Sequence, residues 1–384
     1  MKNPLGVPSW RQAVIMIVGL PLVIALAVMA YAWPAARIAP RDLPVGVVST
    51  GTASQSVVEG LEHGRPGAFD IRLYPDQAAA RSAIEHRDVY GAFVVAPGHV
   101  TVLEATAASP TVAQLVDAAG HQLAAHTAAS AGGTSTAASG IGSGSAPASA
   151  SASGAGGAGA VVRTVDVVPT SVHDPRGLAF SASLLPLTIC SIIIALFTTI
   201  GARLRPGPSR VVPLMATCAA AAFAVYLVAQ TFLGALPHDH AATWAAVALT
   251  MLAISAPTAG LVTLLGHRGL GLSAALMVFV GNPFSGSTSA PELLPKAAAD
   301  IGRWLPPGAG AGLVRGTAYF GGSGSAGPLV VLGVWSVLGL AVVAFGRRRP
   351  VVPEAVLVAE GGTDGLSLVP PRHAAPPGGR VPRP

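Results

Sequence analysis

Residues 179–200 read AFSASLLPLTICSIIIALFTTI, an uncharged and mostly apolar run that decides the fold class. A helix needs about 20 such residues to cross the hydrocarbon core of a bilayer. Further apolar runs predict spans at 13–33, 211–233, 244–265, 269–280 and 329–345. The run at 269–280 is shorter, and we count it because it follows longer spans. The sequence therefore predicts an α-helical integral membrane protein with about six transmembrane helices.

The composition agrees with a membrane protein and argues against other classes. Only 10% of the 384 residues are charged, whereas soluble domains carry about 25%. The formal net charge is +6, but the Lys and Arg residues are spread along the chain, several of them in short loops between apolar runs. A nucleic-acid binder would gather them on one face beside stacking aromatics, so we expect no nucleic-acid partner. None of the apolar runs contains Asp, Glu, Lys, Arg or His, which argues against a proton-driven pump.

The basic residues of the short loops predict how the chain is oriented. Cytoplasmic loops carry an excess of Lys and Arg. With the N-terminus inside, the cytoplasmic pieces contain Lys2, Arg11, Arg203, Arg205, Arg210, Arg268 and Arg347–Arg349. We expect a multi-pass protein of the cytoplasmic (inner) cell membrane, with both termini in the cytoplasm and the lipid bilayer as its first partner. Residues 347–384 are rich in Pro and Gly and predict a disordered cytoplasmic tail.

Residues 34–178 lie outside the cytoplasm in this scheme and alternate between strand and helix patterns. Strands are predicted at 45–49, 69–74, 89–95, 100–104 and 161–168. Helices are predicted at 54–63, 77–86 and 110–126, with Asp76 as the N-cap of the second. Residues 131–160 are almost wholly Gly, Ala, Ser and Thr and predict a flexible linker. The pattern indicates an extracytoplasmic α/β domain inserted after the first helix.

The segment 283–328, before the last span, is not a plain loop. Leu294, Ala298, Ile301 and Leu305 recur at helical spacing before Pro306–Pro307 interrupt the chain. Two structures remain open for this segment. One is a re-entrant hairpin of two short helices, and the other is an amphipathic helix on the outer membrane surface with Trp304 as its anchor. The residues that mark the segment are Asn282, Pro283, Trp304, Pro306 and Pro307.

Motifs for catalysis or cofactor binding are missing from the sequence. It has no phosphate-binding loop ending in Gly-Lys-Ser/Thr and no Gly-x-Ser-x-Gly nucleophile elbow. The two histidines of His238-Asp239-His240 are too few ligands for a tetrahedral metal site, and we interpret this stretch as a solvated loop. The glycines of 308–312 follow no strand and indicate a backbone hinge rather than a phosphate site. We therefore predict no catalytic residue, no cofactor and no metal, and a protein that is not an enzyme.

Two stretches carry a resemblance to a known family. Residues 76–97 read DQAAARSAIEHRDVYGAFVVAP, and the second stretch contains GNPFSG at 281–286, PELLP at 291–295 and WLPP at 304–307. In these phrases and in its layout the chain resembles the type-2 ABC transporter permeases, near the actinobacterial YhgE/Pip (phage infection protein) branch. The resemblance implies one helix, a large outer domain and five further helices. It also implies a membrane subunit that works as a homodimer with a separate ATPase.

Two functions follow from these observations. The first is a membrane-spanning, permease-like subunit of an ABC-type export system, with Arg203, Arg205 and Arg210 as candidates to contact the ATPase. Those arginines are equally explained as anchors that hold their loop in the cytoplasm. The loop carries Pro206 and Pro208, so no coupling helix is predicted in it. The second function is a non-transporting envelope protein whose outer domain binds a partner or surface ligand.

Overall fold

The computed structural model describes residues 18, 20–48, 53–96, 99–132, 161–171, 174, 177–201, 208–231 and 240–346. The described chain is mostly helical and contains one five-stranded sheet. We call residues 43–166 the sheet domain, and we call residues 20–36 together with 178–346 the helical domain. Several predicted segments lie outside the described residues. They are the part of the first predicted span that precedes Leu20, except Val18, then the turn at 97–98, residues 133–160 of the linker and the tail at 347–384.

The sheet domain alternates strands and helices as the sequence predicts. Its elements are β1 (Leu43–Val48), α2 (Ala53–Gly64), β2 (Phe69–Tyr74), α3 (Gln77–Glu85), β3 (Gly91–Ala96), β4 (His99–Glu104), α4 (Pro110–Gly132) and β5 (Val161–Asp166). Asp76 caps α3, where its carboxylate accepts a hydrogen bond of 2.7 Å from the Ala79 amide. The end of α4 reaches Gly132, two residues into the segment predicted as a linker.

The strand order is β2-β1-β3-β4-β5, and only the β3–β4 hairpin is antiparallel. One face of the sheet packs against α2 and α4 through residues such as Val57, Phe93 and Val116. The opposite face packs against α3 through Ala80 and Ile84. Residues 318–320 of the helical domain belong to that same apolar cluster. The sheet domain is therefore joined to the helical domain by a buried contact.

The helical domain contains the apolar runs seen in the sequence. Its helices are α1 (Leu20–Ala36), α5 (Leu178–Leu196), α6 (Val211–Thr231), α7 (His240–Leu265), α8 (His267–Ala274), α9 (Lys296–Trp304), α10 (Pro306–Tyr319) and α11 (Ala326–Phe345). Short π-helical segments extend α5 to Gly201 and α8 to Gly281. Within the described residues, four helices are long and apolar enough to cross a membrane, at 179–199, 208–229, 240–265 and 326–345. The apolar helices at 24–36 and 267–281 are shorter, so six spans remain a prediction.

Helix α7 lies at the centre of the helical domain and is buried along most of its length. Its contact with α11 depends on small residues, because a Cβ atom at Gly339 would lie 2.3 Å from the Pro257 nitrogen. Hydroxyl groups also link neighbouring helices, and Ser255 donates a hydrogen bond of 2.8 Å to the Ser191 carbonyl of α5. Small residues and interhelical hydroxyl bonds are the usual means by which helices associate in a membrane.

The segment before the last span divides into two different helices. Helix α9 buries Ala298 and Ala299 beside Trp33 and leaves Ile301 exposed, which is the pattern of an amphipathic surface helix. Helix α10 is enclosed by protein along nearly its whole length. Pro306 and Pro307 occupy its first turn, where proline is favoured because the missing N–H has no helical partner. The two prolines therefore form the first turn of α10, directly after α9 ends at Trp304.

Candidate functional site

Arg315 brings a positive charge into the middle of the buried helix α10. Its side chain is buried, with the residue only 7% exposed. The guanidinium donates a hydrogen bond of 3.0 Å to the Ser287 carbonyl and lies 4.9 Å from the centre of the Phe180 ring on α5. A buried cation is costly unless it is paired with an anion or fully hydrogen-bonded. Its presence here needs an explanation beyond packing.

Arg87 reaches the same place from the sheet domain. It follows α3 with a positive φ of 64°, and the Arg87 and Asp88 amides donate to the Ile84 and Ala83 carbonyls. This is the Schellman motif, in which glycine normally takes the left-handed position. An arginine there costs about 1 kcal/mol of backbone strain. The side chain donates a hydrogen bond of 3.2 Å to the Gly312 carbonyl of α10 and lies 5.3 Å from the centre of the Phe320 ring.

Glu292 and Tyr90 supply the remaining polar groups. The Tyr90 hydroxyl donates a hydrogen bond of 2.7 Å to a Glu292 carboxylate oxygen. Backbone bonds fix the neighbourhood of Glu292, because the Arg41 and Ala39 amides donate to the Glu292 and Leu293 carbonyls. Burial raises the pKa of the Tyr90 phenol well above its usual value, and the charge of Glu292 adds to the increase while the two arginines oppose it. Tyr90 is therefore a neutral hydrogen-bond donor at physiological pH.

These four side chains line one space between the two domains, which we call the junction cavity. Its volume is about 240 Å³, and its walls include Arg87, Tyr90, Glu292 and Arg315. Two guanidinium groups face a single carboxylate there. In the described part of the chain neither arginine has a carboxylate within ion-pairing distance, and Glu292 accepts its hydrogen bond from the Tyr90 hydroxyl. The junction cavity therefore carries an excess of positive charge.

A second space, which we call the helical cavity, lies among α5, α6, α7 and α10. Its volume is about 340 Å³, within the range of about 300–1,000 Å³ that is common for ligand pockets. Its walls are almost entirely apolar and include Phe180, Leu187, Val225, Val247 and Val314. Phe180 lines the helical cavity and stacks under Arg315, which lines the junction cavity. The walls of the two cavities are therefore in contact through Phe180 and Arg315.

Comparisons with known proteins do not extend this picture. No family model, no curated protein and no solved structure matches the chain. The resemblance to type-2 ABC permeases therefore stays a prediction from the quoted phrases.

The residues singled out from the sequence do not form this site. Arg203 and Arg205 lie outside the described residues, and Arg210 is buried at the start of α6. Asn282 donates a long hydrogen bond of 3.4 Å to the Tyr31 hydroxyl, and Pro283 begins a 3₁₀ turn. Trp304 lies at the exposed end of α9, where its carbonyl accepts a hydrogen bond from Trp335.

The sequence reasoning missed Arg87, Tyr90, Glu292 and Arg315. One signal was available, because Arg315 is the only charged residue between Arg303 and Arg347. An ionisable residue within a long apolar stretch is a candidate functional residue by default. Arg87 carries no such signal, because it lies in the polar stretch Glu85–Asp88, and Tyr90 and Glu292 belong to no motif that indicates a site.

A third space, which is polar, lies at the end of β4. Three acidic side chains are close together there, Glu104, Asp117 and Asp166. Thr164 donates a hydrogen bond of 2.6 Å to Asp117, and the Thr106 hydroxyl donates one of 2.5 Å to Asp166. Burial raises the pKa of Glu104 to about 7, and the charges of Asp166 and Asp117 add to the increase. Among the described residues no three His, Cys, Asp or Glu side chains are placed to hold a metal ion. Because the pKa of Glu104 is raised to about 7, the cluster makes the stability of the folded protein depend on pH.

We expect the stability of the protein to fall as the pH rises through about 7, because the raised pKa favours protonated Glu104 in the folded state. An unfolded Glu titrates near pH ~4.3, so this contribution is complete below that pH and is lost above 7. The check is thermal unfolding of the full chain in detergent between acidic and alkaline pH. Glu104→Gln should flatten the profile and unfold at a higher temperature than wild type on the alkaline side. The exposed Glu85→Gln is the control, and an identical profile for Glu104→Gln and wild type would contradict the assignment.

Proposed function

We propose that this chain is the membrane-spanning, permease-like subunit of an ABC-type export system. The observation that carries the proposal is the helical cavity, an apolar space of about 340 Å³ among four helices. Three of those helices are candidate membrane spans. A protein that moves a molecule across a bilayer needs internal space of this kind, whereas a simple anchor does not. The order of one helix, a sheet domain and further helices agrees with the resemblance to type-2 permeases.

The proposal includes a defined arrangement in the inner membrane. The shorter apolar helices at 24–36 and 267–281 join the four longer ones as spans, which gives six. The sheet domain lies outside the cytoplasm, and both termini lie inside, as the Lys and Arg residues of the loops predict. Helix α9 rests on the outer surface with Trp304 as an interfacial anchor. Helix α10 re-enters the membrane domain behind it, enclosed by protein.

The energy source is a separate ATPase, because the chain has no phosphate-binding loop of its own. The ATPase binds the cytoplasmic face, where Arg203 and Arg205 are the candidate contacts. Arg210 is assigned to packing instead, because the residue is only 4% exposed. The resemblance implies that two copies of the chain assemble with the ATPase.

The test is purification of the full chain from its native membranes in a mild detergent. We expect an ATPase subunit to accompany it in a fixed ratio, together with vanadate-sensitive ATP hydrolysis. The double variant Arg203→Gln/Arg205→Gln should lose most of the associated ATPase, because it removes the candidate charged contacts. A reporter at Ala202 checks that the loop stays in the cytoplasm.

The matched control is Arg81→Gln/Arg163→Gln, which removes two exposed charges from the sheet domain. This variant should retain the ATPase. Failure to find an ATPase with the wild-type chain would contradict the exporter proposal. It would favour an envelope protein whose outer domain binds a partner.

A further inference from the structure

The hydrogen bonds that the two arginines make do not explain the excess positive charge of the junction cavity. Arg87 and Arg315 each donate a hydrogen bond to a backbone carbonyl, at Gly312 and Ser287. A neutral glutamine side chain can donate to a carbonyl equally well and has no charge to desolvate. Arg87 in addition occupies a left-handed position that favours glycine. Both positions therefore hold a charge at a cost to stability.

A guanidinium that lines a cavity has free N–H groups to offer a ligand. Arg315 donates one hydrogen bond within the described part of the chain, although a guanidinium carries five N–H donors. Arg87 likewise donates one, from Nη1 to Gly312. Planar guanidinium groups match the geometry of phosphate and carboxylate oxygens, which they bind in pairs. The junction cavity therefore has the chemistry of an anion site.

The helical cavity adds an apolar half to this site. It begins at Phe180, directly beneath the guanidinium of Arg315, and continues between α5, α6 and α7. Val314 lines the helical cavity and the next residue, Arg315, lines the junction cavity, so adjacent positions of α10 contribute to an apolar wall and to a charged wall. A ligand that fills both spaces must carry an anionic group at one end and an apolar chain at the other.

We propose that the two cavities together bind one anionic phospholipid. Its phosphate lies between Arg87 and Arg315 in the junction cavity, with Tyr90 available as a neutral donor, and an acyl chain lies in the helical cavity. Basic pockets between membrane helices commonly hold anionic headgroups. The inference deepens the proposed exporter by naming its ligand class. The binding itself is independent of any ATPase and is tested without one.

The experiment measures thermal unfolding of the full chain in detergent with added phosphatidylglycerol, phosphatidylcholine or glycerol phosphate. Phosphatidylglycerol has both an anionic headgroup and acyl chains, phosphatidylcholine has no net charge, and glycerol phosphate has no chain. A ligand that binds only the folded state raises the unfolding temperature with its concentration. We expect phosphatidylglycerol to give the largest increase. Equal increases from phosphatidylcholine, or from glycerol phosphate, would overturn the anionic lipid assignment.

Variants identify the site. Arg315→Gln should weaken phosphatidylglycerol binding by about tenfold or more, because a charge-assisted contact is lost. Arg315→Lys should keep part of the binding. Arg87→Gly should also weaken binding, although glycine relieves the backbone strain at that position. Glu292→Gln should strengthen binding, because it removes the carboxylate that repels the ligand.

The control is Arg81→Gln on the exposed surface of α3, which should respond like wild type. An unchanged response of both Arg315→Gln and Arg87→Gly to phosphatidylglycerol would overturn the proposed site. The two proposals can fail separately. If these variants lose the lipid response and no ATPase accompanies the wild-type chain, the lipid site is supported and only the exporter function is contradicted.

Discussion

The Gly339→Leu variant is expected to lose the contact between α7 and α11 and to unfold far more readily than wild type. A Cβ atom at this position would lie 2.3 Å from the Pro257 nitrogen and 2.4 Å from the Ala256 carbonyl carbon. Both are backbone atoms of the central helix α7, so no side chain can move aside. Overpacking of a core usually costs about 1–3 kcal/mol, and we expect at least the upper end here. The measurement is the unfolding temperature of the full chain in detergent.

Gly333 provides a matched control on the same helix. A Cβ atom at Gly333 would meet nothing within 4 Å. Gly333→Leu should therefore leave the unfolding temperature close to that of wild type. Similar unfolding temperatures for Gly339→Leu and Gly333→Leu would show that α7 and α11 are not packed as closely as described.

The membrane helices were the easiest part of the fold to predict. The run at 179–200 is recognisable because the hydrocarbon core demands a long uncharged stretch wherever a helix crosses it. The helix observed there begins at Leu178 and continues through a π turn to Gly201. The short run at 269–280 is harder, because length alone does not separate a short span from a helix enclosed by protein. Its helical character is confirmed, and its status as a span stays a prediction.

The sheet was predictable as a set of strands and not as an order. The alternation over 69–74 predicts a strand because successive side chains point to opposite faces. Its parallel pairing with β1 depends on a contact between distant residues, which local patterns do not encode. The strand predicted at 161–168 is confirmed over 161–166, but its parallel pairing with β4 was not predicted.

The candidate site was mostly beyond prediction from sequence. The glycines of 308–312 were interpreted as a hinge, but they lie within the continuous helix α10. A Cβ atom at Gly310 would lie 2.3 Å from the Thr250 side chain, so close packing accounts for at least this glycine. The strained backbone of Arg87 appears only once α3 is folded and capped. The junction cavity exists because the sheet domain packs on α10, and no single stretch of sequence encodes that contact.

The second large effect concerns transport itself. If the helical and junction cavities form the substrate site of an exporter, Arg315→Gln should abolish lipid-stimulated ATP hydrolysis while leaving the ATPase bound. The reason is that Arg315 lines the junction cavity and contacts Phe180 of the helical cavity, whereas the proposed ATPase contacts are Arg203 and Arg205. Arg81→Gln should behave like wild type, because its side chain lies on the exposed surface of α3.

The most direct measurement is therefore the rate of ATP hydrolysis by the purified assembly in phosphatidylcholine nanodiscs, with and without phosphatidylglycerol. We expect phosphatidylglycerol to accelerate the wild-type and Arg81→Gln assemblies and to leave Arg315→Gln at its basal rate. Equal acceleration of wild type and Arg315→Gln would contradict the claim that the two cavities form the substrate site of an ATP-driven exporter.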